Sequence, residues 1–159
     1  MMRRTSVAVA LVIAVVIAAT AALGVAARTM LARPAAGATV VTVYKSPSCG
    51  CCSKWVDHLR AAGYTVTVHD TDDLDEVMSD FNVPRQLASC HTAKVGPYVI
   101  EGHVPADLIA KALREHPAIA GLAVPGMVTG SPGMEGGTAQ PYDIVAWTRD
   151  GHTSIYAHR

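Results

Sequence analysis

The sequence predicts an α/β fold in which a central mixed sheet is flanked by helices. Strand-like and amphipathic helical segments alternate between residues 39 and 115, and three cysteines lie where the first strand passes into the first helix. Near the end of the chain, an Asp-Gly pair between two alternating segments predicts a C-terminal β-hairpin. The chain of 159 residues is long enough for one domain with a hydrophobic core.

The N-terminal segment is typical of an export signal. Residues 1–4 carry two arginines, and residues 7–27 are almost entirely apolar. This run is also long enough to span a bilayer as an uncleaved anchor, although the small residues after it favour cleavage. We expect a signal peptide or membrane anchor over 1–32, a linker over 33–38 and the folded domain over 39–159. The folded domain is then exported, to the periplasm or the outer face of the cytoplasmic membrane, where disulfides are permitted.

The first half of the folded domain predicts two strands and two helices. Residues 39–44 are rich in β-branched side chains, and residues 64–69 alternate as a half-buried strand does. Residues 53–62 place their apolar side chains on one helical face before a stop at Gly63. Residues 72–81 predict a second helix, because aspartates in a first turn suit the helix dipole.

The second half of the folded domain predicts two short strands, a helix, a loop and a hairpin. Residues 89–95 and 98–102 are two short strand-like runs joined through a Gly-Pro pair, and residues 105–115 predict a helix that opens with proline. Residues 117–141 are rich in proline and glycine and predict a loop. Residues 142–158 predict the hairpin, with the Asp-Gly pair at its turn.

The element order β-α-β-α-β-β-α is the thioredoxin-like order. The expected fold class is therefore an α/β, thioredoxin-like fold with a C-terminal hairpin extension. In such folds a cysteine motif opens the first helix, whose N-terminus favours the thiolate; here Cys49, Cys51 and Cys52 stand at that place. The loop that faces the motif carries a cis-proline in thioredoxins and glutaredoxins, but here it carries Cys90. The fold class thus predicts that four thiols converge.

The third cysteine of the motif favours a metal site over a simple redox pair. Cys49 and Cys52 have the spacing of a redox dithiol, and Cys51 lies between them. Because adjacent Cys51 and Cys52 are expected to point in different directions, bridging of several ions is favoured over binding of one. Soft sulfur ligands select copper(I), zinc or iron–sulfur clusters. Met127 and Met134 each follow a glycine in the loop, and their thioethers favour copper(I); alternatively, both fill gaps against the core.

Histidines add candidate ligands. His91 follows Cys90, although strand alternation predicts that it points away if Cys90 faces the site. His103 precedes the third predicted helix, where it either reaches the site or caps the helix. His58 is expected too far along the first helix to share an ion with the motif. No pattern assigns a role to the remaining histidines, which are His69, His116, His152 and His158.

Charge and motifs exclude several other classes of protein. Beyond residue 37 the chain has nine basic and thirteen acidic residues and no basic stripe, which excludes a nucleic-acid partner. There is no G-x-S-x-G, Walker or dinucleotide-binding motif. Contact with a membrane is expected only through the N-terminal segment.

Four segments resemble the CopG-like family of periplasmic copper-resistance proteins: YKSPSCGCCSKWVDHLRAAGY, VPRQLASCHTA, YVIEGHVPADLIAKAL and VPGMVTGSPGMEGG. The resemblance covers residues 44 to about 137. It implies a thioredoxin-like fold and the handling of copper in a cysteine-bridged, multinuclear cluster. The implied ligands are Cys49, Cys51, Cys52 and Cys90, with Met127, Met134 and a histidine, His91 or His103, as supplementary ligands. Val128 departs from the family, in which a proline is expected there, but touches no implied ligand.

The expected function is to hold copper(I) outside the cytoplasm, in copper resistance or homeostasis. Cys49, Cys52 and Cys90 are the candidates for a disulfide that couples copper binding to thiol redox state, and the expected partners are a copper exporter or a periplasmic copper chaperone. Whether the protein is also an enzyme in copper or thiol redox chemistry stays open. One alternative is a thiol–disulfide oxidoreductase without stable metal, which has no use for Cys51. Another is a structural zinc or iron–sulfur site, which has no use for the methionines.

Overall fold

The computed structural model describes residues 39–159, so the predicted export segment and linker lie outside the described residues. Seven strands and three helices follow one another there: β1 Val40–Lys45, α1 Gly50–Ala61, β2 Thr65–Asp70, α2 Leu74–Asp80, β3 His91–Val95, β4 Tyr98–Glu101, α3 Ala106–Glu115, β5 Gly121–Ala123, β6 Asp143–Trp147 and β7 Thr153–His158. A 3-10 turn, Arg85–Leu87, precedes β3. Within residues 39–159, no helix has the length and apolar character needed to cross a bilayer.

All seven strands form one mixed sheet in the order β2-β1-β3-β4-β5-β6-β7. Strand β1 is parallel to β2 and β4 is parallel to β5, whereas the other neighbours are antiparallel. This arrangement confirms the α/β class with a mixed sheet. The predicted hairpin is β6–β7, and it extends the same sheet through β5.

Both faces of the sheet are buried at its central strands, whereas the edge strands β2 and β7 are largely exposed. On one face, Trp55 and Leu59 of α1 and Ile109 of α3 pack against strand residues such as Val43 and Ile100. On the other face a smaller cluster forms around Trp147, with Val99 and Leu87 buried and with Met78 and Phe81 packed against it. Because neighbouring strand residues point to opposite faces, α1 and α3 cover one side of the sheet and α2 covers the other.

Most element boundaries lie within one or two residues of those predicted, and three differences affect the description of the site or the sheet. Helix α1 begins at Gly50, not residue 53, so Cys51 and Cys52 lie inside its first turn. Helix α2 covers only Leu74–Asp80 because Asp73 accepts the capping bond from the Glu76 amide and thereby starts the helix. Strand β5 lies within the segment predicted as loop; it is three residues long and pairs with strands on both sides, so tertiary pairing overrides its weak local preference.

Candidate metal centre

The N-terminus of α1 places three sulfurs within one helical turn. Cys49 is the N-cap residue, and its Sγ accepts a hydrogen bond from the Cys52 amide at 3.3 Å. Cys49 and Cys52 form a disulfide with a Cα–Cα distance of 5.4 Å, within the usual range for such a bond. Among the described residues, Cys51 and Cys90 are free thiols. The site is therefore seen with its C-x-x-C pair oxidised and its two other cysteines reduced.

The four sulfurs converge as the element order predicted. They lie within 4.8 Å of one another, although Cys49 and Cys90 come from distant parts of the chain. Cys51 Sγ lies 3.5 Å from Cys49 Sγ, so the expectation that adjacent Cys51 and Cys52 point in different directions does not keep either from the cluster. The Cys90 carbonyl oxygen lies 3.3 Å from Cys52 Sγ. The described residues contain no cis peptide bond, so Cys90 stands in an all-trans turn.

His103 is oriented toward the Cys90 thiol. Its Nε2 atom lies 3.0 Å from Cys90 Sγ, and its Nδ1 atom lies 2.7 Å from the Pro132 carbonyl oxygen. Since a carbonyl can only accept, Nδ1 carries the proton and Nε2 presents its lone pair to the sulfur. Burial lowers the pKa of His103, which favours this neutral form. A histidine whose other nitrogen donates to a carbonyl is oriented as metal-bound histidines usually are.

His91 also faces the site, contrary to the orientation that strand alternation predicted. Its Nδ1 atom lies 3.5 Å from Cys90 Sγ, because Cys90 precedes β3 and does not share its alternation. The ring is fully buried, packs 4.3 Å from the Trp55 ring and meets the His103 ring edge-on at 5.0 Å. Burial lowers the pKa of His91 to about 3, so it is neutral at physiological pH. Its Nε2 atom has no hydrogen-bond partner.

The Cys90 thiol is protonated in the metal-free protein. Burial, followed by the neighbouring Cys51 thiol, raises the pKa of Cys90 to about 12. The S–H group therefore donates to His103 Nε2. Because metals bind the thiolate, a metal ion at this site would displace that proton, and its binding would be pH-dependent.

The loop between β5 and β6 packs against the cysteine turn. The Gly126 amide donates to the Ala88 carbonyl, and the Pro132 carbonyl accepts from His103. Gly133 lies so close to α1 that a Cβ atom there would be 2.7 Å from the Cys51 carbonyl oxygen. These contacts bring the backbone on either side of Met127 and Met134 to the cysteine cluster. Met127 is 59% exposed, whereas Met134 is half-buried.

Two residues outside the cysteine cluster support the site: Glu101, which was not singled out from the sequence, and His58, which the sequence placed too far away to share an ion. The Glu101 carboxyl is fully buried and accepts hydrogen bonds from the Ser89 amide and the Thr92 hydroxyl. An acidic residue inside the apolar run YVIE was a signal for it. His58 accepts a hydrogen bond from the Ala106 amide at the start of α3, so it supports the helix after His103 and is not part of the cluster.

The donors present fit a thiophilic metal. The four sulfurs form one group, and Cys90 with His91 and His103 forms a second group that shares the Cys90 sulfur. Thiolate with imidazole is a donor set for copper or zinc, and abundant thiolate favours copper(I), zinc or iron–sulfur clusters. Of the remaining histidines, His158 pairs with Asp143 on the surface, 2.6 Å away.

Comparison with known proteins gives two kinds of match. A family described as "Protein of unknown function, DUF411" matches residues 87–134. The solved structure "Copper resistance protein copG- Form 2" is 43% identical, with a TM-score of 0.73, and the match covers 76% of this chain and 98% of that chain. For "Copper resistance protein copG- Form 1" the values are 44%, 0.72, 76% and 96%. No curated protein matches the sequence.

Proposed function

We propose that this chain, which belongs to the CopG family of copper resistance proteins, binds copper ions at the cluster of Cys49, Cys51, Cys52 and Cys90. The observation that carries the proposal is the spacing of the four sulfurs, all within 4.8 Å of one another. Sulfurs this close can each contact more than one ion, which supports a cysteine-bridged, multinuclear cluster. Both solved relatives are described as copper resistance proteins.

The proposed oxidation state is copper(I). Thiolates and thioethers are the soft ligands that copper(I) accepts, and zinc has little use for thioether. Met127 and Met134 are proposed as supplementary ligands because their loop is bonded to the turn before β3 and to His103. His103 is the better placed histidine, since its Nε2 lone pair already faces Cys90; His91 is the second candidate.

Copper binding is proposed to be coupled to thiol redox state. The Cys49–Cys52 disulfide supports this, because the pair that would bind copper can also form a disulfide in the same site. In the balanced reaction two copper(II) ions take two electrons in all from the Cys49 and Cys52 thiols, one electron each. One sulfur–sulfur bond forms, two copper(I) ions result, and the two thiol protons pass to solvent. The reverse reaction restores the dithiol. Repeated cycles of this reaction would make the protein an enzyme. That step belongs to the proposal, and the fold does not test it.

The proposed setting is a thioredoxin-like domain outside the cytoplasm. The strand order β2-β1-β3-β4, with β1 parallel to β2 and antiparallel to β3, supports the thioredoxin-like assignment, as does the cysteine motif at the start of α1. The signal-like residues 1–32 support export to the periplasm. A copper exporter or periplasmic chaperone is the proposed recipient, because bound copper(I) must leave by ligand exchange.

A second candidate is a thiol–disulfide oxidoreductase that works without metal. The observation in its favour is a disulfide at a helix N-terminus, with the Cys51 thiol 3.5 Å from Cys49 Sγ. That thiol also weakens the candidate. Attack by Cys51 on Cys49 would form a Cys49–Cys51 bond and release Cys52, so the disulfide would rearrange within the motif and not pass to a substrate.

The deciding experiment is an anaerobic copper(I) titration of the reduced full chain against a competing chelator. It is repeated with Cys51→Ser and with Ser53→Ala, a control in the same helical turn whose exposed hydroxyl bonds only to the Cys49 carbonyl. We expect the wild type and the control to bind more than one copper ion per chain, and Cys51→Ser to lose most of them.

Weak copper binding by the wild type, or an unchanged titration in Cys51→Ser, would contradict the cluster. In that case reduction of a protein disulfide by metal-free wild type and by Cys51→Ser distinguishes the second candidate. An oxidoreductase keeps or gains activity when the competing thiol is removed.

A further inference from the structure

The buried carboxyl of Glu101 has no cationic partner. Glu101 is 0% exposed, and its oxygens accept from the Ser89 amide at 2.7 Å and from Thr92 Oγ1 at 2.7 Å. The ion pairs of residues 39–159 do not include it. Burying a carboxyl without a counter-charge is costly unless its hydrogen bonds are satisfied. The two hydrogen bonds offset that cost, and an apolar side chain at the same place could make neither of them.

The hydrogen bond from the Ser89 amide ties Glu101 to the turn that carries Cys90. This turn lies between the 3-10 turn Arg85–Leu87 and β3, so the Ser89 amide belongs to no helix or strand. A half-buried amide outside regular structure needs an acceptor, and the Glu101 carboxyl is that acceptor. Fixing Ser89 fixes the next residue, Cys90, whose thiol faces His103 and whose carbonyl oxygen lies 3.3 Å from Cys52 Sγ.

The end of β4 holds this turn at two points. Glu101 bonds to the turn backbone, and His103, two residues later, contacts the Cys90 thiol. Gly102 between them has φ +67°, and a Cβ atom there would lie 2.4 Å from Ser89 Oγ and 2.6 Å from the Val124 carbonyl oxygen. Glycine is therefore required for β4 to approach the turn so closely. The Ser89 hydroxyl in turn donates to the Gly126 carbonyl, which links the turn to the β5–β6 loop.

We propose that Glu101 is the positioning residue for Cys90: its carboxyl holds the Ser89 amide and so keeps the fourth sulfur within reach of the other three. The inference deepens the proposed function, since it explains how a ligand distant in sequence is held for copper. It also concerns the metal-free protein, because the hydrogen bond and the thiol position exist without any ion.

Two substitutions of Glu101 distinguish the effect of its hydrogen bond to Ser89 from the effect of its packing. Glu101→Gln keeps both bonds, since its carbonyl oxygen accepts from Ser89 and its amide donates to Thr92 Oγ1. Glu101→Met has a similar length but no acceptor. In the full chain without metal, with the Cys49–Cys52 disulfide intact, the alkylation rates of Cys90 and Cys51 are measured by peptide mass spectrometry. Their ratio reports the local position of Cys90, whereas general destabilisation exposes both thiols.

We expect Glu101→Met to raise the Cys90-to-Cys51 rate ratio about tenfold, because a buried amide left without its acceptor opens the turn. Glu101→Gln should stay within about twofold of the wild type, since it retains the bond. The number of copper(I) ions bound per chain should stay near the wild-type value in Glu101→Gln and should fall in Glu101→Met. An unchanged ratio in Glu101→Met, or a Glu101→Gln variant as impaired as Glu101→Met, overturns the proposal.

A measurement on the wild type keeps the inference testable if Glu101→Met does not fold. Hydrogen exchange of the Ser89 amide should be slowed at least about 100-fold relative to an unstructured chain, since the bond must break before exchange. Exchange at the unprotected rate refutes the positioning role. The alkylation and hydrogen-exchange experiments use metal-free protein. They can therefore support the positioning role of Glu101 even if the protein fails to bind copper.

Discussion

Three of the four sulfurs come from one turn of α1, whereas Cys90, His91 and His103 meet only because two strand ends lie side by side in the folded chain. We call the first set, Cys49, Cys51 and Cys52, the helix half of the centre, and the second set the strand half. The helix half lies at a partly exposed helix N-terminus, whereas the two histidines of the strand half are fully buried. The helix half therefore depends on local sequence, whereas the strand half depends on tertiary packing.

We expect the strongest change in copper binding when the sulfur of the strand half is removed. In Cys90→Ser the C-x-C-C motif is intact, but the bridge between the halves is lost. We expect the copper(I) affinity of the reduced chain to fall more than about 100-fold, beyond the loss typical of residues that merely support a ligand. Chelator competition measures it, with Ser53→Ala as the control, since the exposed Ser53 hydroxyl bonds only to the Cys49 carbonyl. Wild-type affinity in Cys90→Ser would mean that the helix half binds copper alone.

The next effect tests the contact between the β5–β6 loop and α1, which carries the helix half. In Gly133→Ala the new Cβ atom would lie 2.7 Å from the Cys51 carbonyl oxygen and 2.8 Å from the Trp55 amide. Gly137→Ala is a matched control, because Gly137 has φ +86° against +87° for Gly133 but only an ordinary 3.7 Å contact. We expect Gly133→Ala to lose about 2 kcal/mol more unfolding free energy than Gly137→Ala in chemical denaturation. Equal losses would show that the loop moves away from α1 freely.

The smallest effect in the wild type is a pH dependence of stability that arises from His91 of the strand half and from the nearby Glu101. Burial lowers the pKa of His91 to about 3 and raises that of Glu101 to about 7. Between pH 4.5 and 6.5 the unfolded chain protonates His91 and the folded chain does not, so stability rises with pH. Over the same range the folded chain keeps a proton on Glu101 that the unfolded chain loses, so stability falls with pH. The two slopes oppose each other in the wild type.

Glu101→Gln removes the titrating carboxyl, so the rise of the unfolding free energy with pH that His91 causes should become visible. In metal-free Glu101→Gln we expect the unfolding free energy to increase with pH by about 1.4 kcal/mol per unit more than in the wild type. Denaturation at several pH values between 4.5 and 6.5 measures this difference. Parallel pH profiles for the two proteins would show that Glu101 is ionised in the fold.

The sequence predicted much of the helix half and only part of the strand half. The convergence of Cys90 followed from the element order, because that order places its loop opposite the motif. The start of α1 was placed three residues late, since cysteine is not a usual N-cap residue and only the folded geometry shows its sulfur accepting the Cys52 amide. The orientation of His91 and the role of Glu101 depend on strand ends that no local pattern fixes. Strand β5 was missed because three residues give no periodicity.

The three cysteines of the helix half are close in sequence, and this limits how far copper binding can stabilise the fold. Cys49, Cys51 and Cys52 are neighbours in the unfolded chain as well as in the folded one, so a denatured chain already offers a three-sulfur chelate. A ligand stabilises a fold only by its preference for the folded over the unfolded chain. With copper bound as proposed, the melting temperature would rise only through the donors that folding adds, above all Cys90 and His103. Such a metal would protect this protein from unfolding less than its affinity alone suggests.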